Sequence, residues 1–204
     1  METQPKLFKN RALQKNNSLP IDGGGREWYV NAMNTRVYEN IATPRTTWNA
    51  AAKGAVELVS EQGPVPSLVI SEIRMMFKHV EDLVVDNSYL TALDESSDEL
   101  IMAWARTGYT AYSYARSSGH GFTWDELIDT LVRKQRDYGH DNIARFGAFG
   151  LAVRCHDKIA RLENLVTRGL EPGNESIKDN LLDVAGYCAI GIMWAAETFL
   201  LELE

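Results

Sequence analysis

The chain has 204 residues, of which 45% are hydrophobic and 24% charged, and its formal net charge is −7 at pH 7. This composition is typical of a globular protein of one or two domains with a buried core, and it argues against a disordered chain. General binding to a nucleic-acid backbone needs concentrated lysine and arginine, which a negative chain does not supply. We therefore expect no strong nucleic-acid binding.

The sequence favours a cytoplasmic protein without a membrane partner. Its first twenty residues, METQPKLFKNRALQKNNSLP, contain no continuous apolar segment, and no run approaches the roughly 20 apolar residues of a membrane span. Cys155 and Cys188 lie in amphipathic stretches without a CxxC motif. We interpret both as reduced packing residues, which suits the cytoplasm.

The N-terminal part of the chain gives few functional signals. Residues 1–25 are polar and include Gly23, Gly24 and Gly25, a composition typical of a flexible tail and a turn. The glycines lack the lysine and hydroxyl residue that complete a phosphate-binding loop, so a hinge is the preferred interpretation. Residues 26–120 are predicted to form a helical region of unknown role.

Apolar residues recur three and four positions apart in most of the chain after residue 46, a spacing that predicts helices. No strand alternation, repeat or heptad array is present, so we predict an all-α helical bundle. The predicted helices are 48–61, capped by Thr46 or Thr47 and closed by Gly63 and Pro64; one capped by Ser71; one capped by Ser97 and running to about Arg116; one capped by Thr123 and ending at Gly139; 150–168, ended by Gly169; and 174–203.

Three acidic residues form the main functional signal. Glu175, Asp179 and Asp183 are four positions apart, which places them on one face of the predicted last helix. The same face continues with Tyr187 and apolar residues, so the acids are expected to point inward. Buried carboxylates repel one another and need a cation, which could be Mg²⁺ or basic side chains of a neighbouring helix.

Basic residues form a matching face on two earlier helices. Lys134 lies one turn beyond an apolar row, at a position where an apolar residue is expected. Arg154, Lys158 and Arg161 are four and three positions apart and share a face of the next helix. Facing acids and bases suit a polyphosphate site, because Mg²⁺ bridges phosphate oxygens while lysine and arginine neutralise the rest. The alternative is a buried salt-bridge network, or long basic side chains that cover the core.

Three stretches together resemble a known family. They are KQRDYGHDN at 134–142, GLAVRCHDKIARLENL at 150–165 and ESIKDNLLDVAGYCAI at 175–190. The set is similar to nucleotide modification associated domain 1, which occurs largely in bacteriophages and is related to the MazG-like, all-α nucleoside triphosphate pyrophosphohydrolases. The resemblance covers about residues 123–195, and we predict a domain at 121–204.

The resemblance implies Mg²⁺-dependent hydrolysis of a deoxynucleoside or nucleoside triphosphate to the monophosphate and pyrophosphate. It links that activity to phage nucleotide or DNA-modification metabolism, in the host cytoplasm if a phage encodes the chain. MazG-like enzymes hold their metal with E-x-x-E and E-x-x-D motifs, whereas the late acids here are four apart. The matching spacing on the earlier helix is Glu126 to Asp129, which the helix dipole also explains.

The expected roles follow from this hypothesis. Glu175, Asp179 and Asp183 would hold Mg²⁺, and Asp137 would orient the attacking water or accept its proton. The remaining side chains would bind the nucleotide: Lys134, Arg154, Lys158 and Arg161 its phosphates, Tyr138 or Tyr187 its base or a phosphate, and His140 and Asn142 its base. Among the phosphate-binding residues, Lys158 is expected to take a catalytic part.

Two other functions stay open. The same fold could bind or sequester a nucleotide without hydrolysing it. Alternatively, a structural or adaptor protein could use its N-terminal half to bind a partner, with the charged faces serving as salt bridges. Helical bundles with apolar faces often complete their core by dimerisation, so a homodimer is expected.

Overall fold

The computed structural model describes residues 45–65, 67–87 and 96–204, which belong to one compact unit, Pro44–Glu204. The predicted tail at 1–25 and its glycines lie outside the described residues. Within the described ranges the chain forms helices and no strand. The prediction of an all-α bundle is therefore confirmed.

The described helices are numbered here in chain order. They are α1 (Trp48–Ser60), α2 (Ile70–Asn87), α3 (Ser96–Ser117), α4 (Trp124–Tyr138), the single-turn α5 (Asp141–Ala144), α6 (Gly147–Arg168) and α7 (Ile177–Ala195).

Four predicted helix ends are confirmed by their capping contacts. The Thr47 hydroxyl accepts from a backbone N–H in the first turn of α1, and the Thr123 hydroxyl does the same for α4. Gly139 and Gly169 follow the last residues of α4 and α6 with positive φ angles of 63° and 59°. Glycine adopts this backbone without the steric cost of a Cβ, so these ends are fixed by the sequence itself.

Other predicted starts are wrong by one to three residues. Helix α2 begins at Ile70, so Ser71 lies inside its first turn, and α3 begins at Ser96, so Ser97 lies inside that helix. Helix α6 begins at Gly147, three residues before the predicted start. In each case the apolar spacing locates the helix but does not fix its first residue.

The last helix is shorter than predicted at both ends. It begins at Ile177, because Ser176 takes the cap position, and it ends at Ala195. At its end the N–H groups of Thr198 and Phe199 both donate to the carbonyl of Met193, at 2.8 and 3.2 Å. These bonds turn the chain away from the helix axis, so the predicted extension to residue 203 does not form.

Helix α7 is the central element of the unit. It packs against α1, α3, α4 and α6, and its apolar residues are buried on several sides. A helix that is apolar all round is typical of such a position. Its most extensive interface is with α3, where Gly191 lies against the fully buried ring of Trp104. A Cβ added at Gly191 would be 2.5 Å from that ring, so the close approach requires glycine.

Helix α1 is joined to the segment that follows α7. The backbone N–H of Trp48 donates to the carbonyl of Glu202 at 2.8 Å. The buried Trp48 ring also packs edge-on against Phe199, with 6.4 Å between ring centroids. The start of α1 is thereby covered by residues far away in sequence.

The two cysteines are free and fully buried, as predicted for packing residues. Burial raises the pKa of the Cys188 thiol well above its usual value, and the neighbouring Cys155 raises it further. Among the helices described, none combines the length and the apolar character needed to span a bilayer. The domain boundary near residue 120 and the homodimer stay predictions.

Candidate functional site

The predicted acidic and basic faces meet where α4, α6 and the start of α7 come together. Lys134 on α4 and Lys158 on α6 both contact the carboxylate of Asp183 on α7. Lys158 and Arg161 contact the carboxylate of Glu175, just before α7. We call these five residues, Lys134, Lys158, Arg161, Glu175 and Asp183, the charged cluster.

Lys158 is the central residue of the charged cluster. Its Nζ lies 2.5 Å from Oε2 of Glu175 and 2.8 Å from Oδ2 of Asp183. Its side chain is 19% exposed and that of Asp183 is 13% exposed, so this contact is partly shielded from water. Burial alone would lower the pKa of Lys158, but hydrogen bonds and charge from Asp183 and Glu175 outweigh burial and raise it. Lys158 therefore stays protonated between two carboxylates.

The remaining cations complete the pairing. Lys134 Nζ donates to Oδ1 of Asp183, and its own side chain is 45% exposed. Arg161 donates to the Glu175 carboxylate at 3.4 Å and to the Glu175 backbone carbonyl at 3.0 Å. Each carboxylate is thus held by two cations, and the whole group is open to solvent at Lys134 and Glu175.

Asp179 makes its hydrogen bonds to Ser176 and is not a member of the charged cluster. Its carboxylate accepts from the Ser176 hydroxyl at 2.7 Å and from the Ser176 N–H at 3.1 Å, while its own N–H donates to the Ser176 hydroxyl. This reciprocal arrangement is a capping box. The hydrogen bond from Ser176 lowers the pKa of Asp179, against the smaller opposing effect of burial.

The predicted column of three inward acids therefore needs correction. Glu175 precedes the cap residue and lies outside α7, so it does not share a helix face with Asp179 and Asp183. Both Glu175 and Asp179 are exposed, and Asp183 alone is largely shielded. The sequence ESIKD matches a helix and a capping box equally well, because serine followed three residues later by an acid is also a helix-start signal.

Asn180 is a residue at this site that the sequence reasoning missed. It is fully buried, and its Nδ2 donates to the backbone carbonyl of Ser176 at 2.7 Å. A polar residue at the start of the apolar run NLLDVAG was the signal available in the sequence. The contact ties the turn that carries Glu175 to the first part of α7.

Two of the three predicted Mg²⁺ ligands, Glu175 and Asp183, lie on either side of one cation. In residues 45–65, 67–87 and 96–204, no three His, Cys, Asp or Glu side chains are grouped to hold a metal ion. The Lys158 ammonium instead marks a point where Glu175 and Asp183 jointly favour a cation. Mg²⁺ is commonly held by one or two carboxylates together with substrate phosphates. A role of Glu175, Asp179 and Asp183 as Mg²⁺ ligands therefore stays a prediction.

Several predicted nucleotide-binding residues make contacts outside the charged cluster. Arg154 donates to the backbone carbonyl of Asn142 at 3.2 Å. Nε2 of His140 lies 3.1 Å from the carbonyl oxygen of Leu201. These contacts join α5, α6 and the segment after α7, so Arg154 and His140 have structural contacts whatever else they bind.

The other predicted residues are accessible to different degrees. Asp137 and Tyr138 lie at the exposed end of α4, with Tyr138 65% exposed. Tyr187 on α7 is half-buried. Glu126, considered for a metal role, forms an ion pair with Lys178 at 2.8 Å, which joins α4 to α7 beside the cluster.

A second charged group between α2 and α6 was not predicted. Arg74 on α2 contacts Glu163 and His156 on α6, each at 3.0 Å. His156 is in turn 2.7 Å from Glu81. His156 is therefore an exposed residue with two charged partners, Arg74 and Glu81.

Replacing Asp179 with alanine should lower the free energy of unfolding by about 0.5–1 kcal/mol, because the half of the capping box that its carboxylate supplies is lost while the Ser176 hydroxyl still caps the helix. Asp179→Gln should stay close to the wild type, because glutamine can accept at the same position of a capping box. Urea denaturation of both variants measures the change in the free energy of unfolding.

The stability that the Asp179 charge contributes depends on pH, because folding lowers the pKa of this carboxyl. The contribution is fully present above the usual pKa of 3.8 and is lost as the pH falls through the lower pKa of the folded state.

The same pair of variants separates a cap from a metal ligand. If Asp179→Gln keeps wild-type stability but loses Mg²⁺-dependent nucleotide binding, Asp179 is a ligand and not only a cap.

Comparison of the chain with protein-family models, with curated proteins and with solved structures gives no match in any of the three. Inference about function therefore rests on the charged cluster and its surroundings.

Proposed function

We propose that the protein hydrolyses a deoxynucleoside or nucleoside triphosphate to the monophosphate and pyrophosphate, with Mg²⁺, at the charged cluster. The observation that carries this proposal is the position of Lys158, partly shielded and shared between Glu175 and Asp183. Cations and carboxylates that converge in this way are the groups that a metal-bound polyphosphate requires. The resemblance of residues 123–195 to the phage-type, MazG-like pyrophosphohydrolases, which stays a prediction from the sequence, points to the same reaction.

The basic side chains would bind the phosphates, and the acidic side chains would bind the metal ion. Lys134, Lys158 and Arg161 would bind phosphate oxygens and neutralise the charge that develops on them. Glu175 and Asp183 would hold Mg²⁺, which when bound supplies charge neutralisation at the phosphates and a more acidic water. The capping box and Asn180 would keep the Glu175 turn in place at the start of α7.

Asp137 is proposed to accept the proton of the attacking water. It lies on the exposed last turn of α4, one turn beyond Lys134. Water would add to the α-phosphorus as the bond to the β-phosphate oxygen breaks, which yields the monophosphate and pyrophosphate. A carboxylate within reach of that water can take its proton at neutral pH.

Pyrophosphate release from a panel of deoxynucleoside and nucleoside triphosphates, with Mg²⁺ or with EDTA, tests this function. Asp183→Asn should reduce release by about 100-fold or more, because it removes one of the two carboxylates proposed to hold Mg²⁺. Lys178→Gln, which removes the neighbouring ion pair with Glu126, should retain most of the activity. Equal release by the wild type and Asp183→Asn would exclude this cluster as the site.

A second candidate follows from the complete pairing of the cluster. Since each carboxylate already has two cations, the same group could serve as a structural ion-pair network in an adaptor protein, or it could bind a nucleotide without hydrolysing it. Nucleotide binding without pyrophosphate release would favour the binding module. A melting temperature that neither nucleotide nor Mg²⁺ changes would favour the structural network.

We also propose that the protein is a homodimer and lies in the cytoplasm.

A further inference from the structure

A cavity of about 240 Å³ lies between α2 and α6, and we call it the α2–α6 cavity. Its apolar wall includes Val84 on α2 and Phe149, Ala152 and Val153 on α6. Phe149 and Val153 are 56% and 47% exposed, so one side of the cavity is open to solvent. Since a dry protein cavity of about 150 Å³ holds benzene, this one has room for an aromatic ring with a short side chain.

The α2–α6 cavity is separate from the charged cluster. Phe149, Val153 and His156 are four and three positions apart, so they share one face of α6. His156 and Lys158 are two positions apart, which places their side chains about 200° apart around the helix axis. The cavity therefore lies on the opposite face of α6 from the site of the proposed hydrolysis.

One end of the cavity carries two polar side chains, the carboxylate of Glu81 and the ring of His156. Nδ1 of His156 lies 2.7 Å from Oε1 of Glu81 and 3.0 Å from Nη1 of Arg74. The carboxylate can only accept a hydrogen bond, and the guanidinium can only donate one. Because Nδ1 carries either a hydrogen or a lone pair, it satisfies only one of these two neighbours at a time.

The neighbour that the neutral ring leaves unsatisfied is Glu81. Arg74 also donates from Nε and Nη2 to Oε2 of Glu163, which balances its charge. Within the described ranges, the ion pair of Glu81 is with His156 and not with a lysine or an arginine. When Nδ1 accepts from Arg74, the Glu81 carboxylate is left without a donor at the end of an apolar cavity. A cationic group of a ligand would supply that donor and the opposite charge.

We propose that the α2–α6 cavity binds a small organic amine, with its ammonium group on Glu81 and its apolar body against Val84, Phe149 and Val153. His156 then accepts from Arg74 and Glu81 accepts from the ligand, so each polar group at this end has a partner of the opposite kind. A neutral alcohol can donate one hydrogen bond to Glu81 but brings no charge. An organic acid would be repelled by the Glu81 carboxylate.

Three probes of similar size separate these ligand classes: phenethylamine, phenethyl alcohol and hydrocinnamate. Each is titrated into the isotope-labelled full chain, and the chemical shifts of backbone amides report both the affinity and the location of binding. We expect phenethylamine to bind about 5- to 10-fold more tightly than the alcohol, the gain from a charged over a neutral hydrogen bond, and the acid to bind most weakly of the three. The largest shifts should fall on Val84, Ala152 and Val153. Methylamine, which has the charge without an apolar body, should bind more weakly than phenethylamine.

Two variants should change this binding in different ways. Glu81→Gln removes the charge, so the affinity for phenethylamine should fall to near that for phenethyl alcohol. Phe149→Ala removes part of the apolar wall, so the affinity for both probes should fall by a similar factor and the preference for the amine should remain. Asp82→Asn is the matched control, because Asp82 is the next carboxylate on α2 and pairs with Lys78. It should bind the probes as the wild type does.

Equal affinity of the wild type for the amine and the alcohol, or binding of neither, would overturn the inference. An amine preference that Glu81→Gln retains, or shifts centred on residues outside the cavity, would do the same. If Glu81→Gln fails to fold, the wild-type titrations still decide, because the amine preference and the location of the shifts need no variant. Pyrophosphate release is not measured in these titrations, so the amine site and the proposed hydrolysis stand or fall separately.

Discussion

Replacing Gly191 with alanine should destabilise the protein by roughly 1–3 kcal/mol, the usual cost of forcing extra atoms into a packed core. The added Cβ would lie 2.5 Å from Cδ2 and Cε2 of Trp104, a separation that van der Waals contact does not allow. Trp104 has no room to yield, because it is fully buried and packs against Phe77 with 6.0 Å between ring centroids. Helices α3 and α7 would have to move apart along their most extensive interface.

A matched control is available in the same helix. At Gly186 an added Cβ would meet Leu131 at 3.5 Å, which is ordinary van der Waals contact. Gly186→Ala should therefore stabilise the protein by about 0.5–1 kcal/mol, through the better helix propensity of alanine. Urea denaturation with a common m-value measures both variants. Equal effects at Gly186 and Gly191 would contradict the close approach of Trp104 to α7.

Replacing Lys158 with methionine should destabilise the protein by roughly 1–3 kcal/mol, less than the cost of leaving a buried charge without a partner, because water reaches part of this ion pair. The substitution keeps most of the side-chain volume but leaves Glu175 and Asp183 without their shared cation. Lys134 and Arg161 each still hold one carboxylate, which limits the loss.

A double-mutant cycle that combines Lys158→Met with Asp183→Asn measures the interaction energy between Lys158 and Asp183. We expect Lys158→Met to cost less in the Asp183→Asn background than in the wild type, with a coupling energy of about 1 kcal/mol or more. Lys78→Met is the control, because Lys78 forms an ion pair with Asp82 that is exposed on both sides. Exposed pairs contribute about 0.2–1 kcal/mol. A Lys158–Asp183 coupling energy below that of the Lys78 pair would contradict the shielding described here.

The pH dependence of the same variant follows from the raised pKa of Lys158. A cation with a raised pKa contributes stability at pH values below its usual pKa, and loses it as the pH rises through the higher folded value. The difference between the wild type and Lys158→Met should therefore be constant around neutral pH and should shrink above pH 10.5. Denaturation curves over this range measure the effect.

Periodicity and capping signals predict most of the described helices. Thr47, Thr123, Gly139 and Gly169 act locally, through their own hydrogen bonds or backbone angles, so a few neighbouring residues suffice to identify them. The capping signal at Ser176 is equally local, but the spacing of apolar and acidic residues in ESIKDNLLD favours an uninterrupted helix. Two local signals compete there, and the capping box determines the structure.

The meeting of the acidic and basic faces could be anticipated from spacing, but the pairing within it could not. Lys158 and Arg161 reach Glu175, whereas Arg154 on the predicted same face donates to the carbonyl of Asn142. That difference depends on where α5 and the start of α7 lie along α6, which is a property of helix packing. Spacing on one helix gives the direction of a side chain and not its partner.

The contact between Trp48 and Glu202 affects the order in which the chain can fold during synthesis. An isolated helix of the length of α1 is marginally stable in water. The carbonyl of Glu202 that accepts from the Trp48 N–H, and the Phe199 ring that packs on Trp48, are among the last described residues to leave the ribosome. We therefore expect the described unit to complete its fold in one late step, when residue 202 has become available, and not helix by helix as the chain emerges.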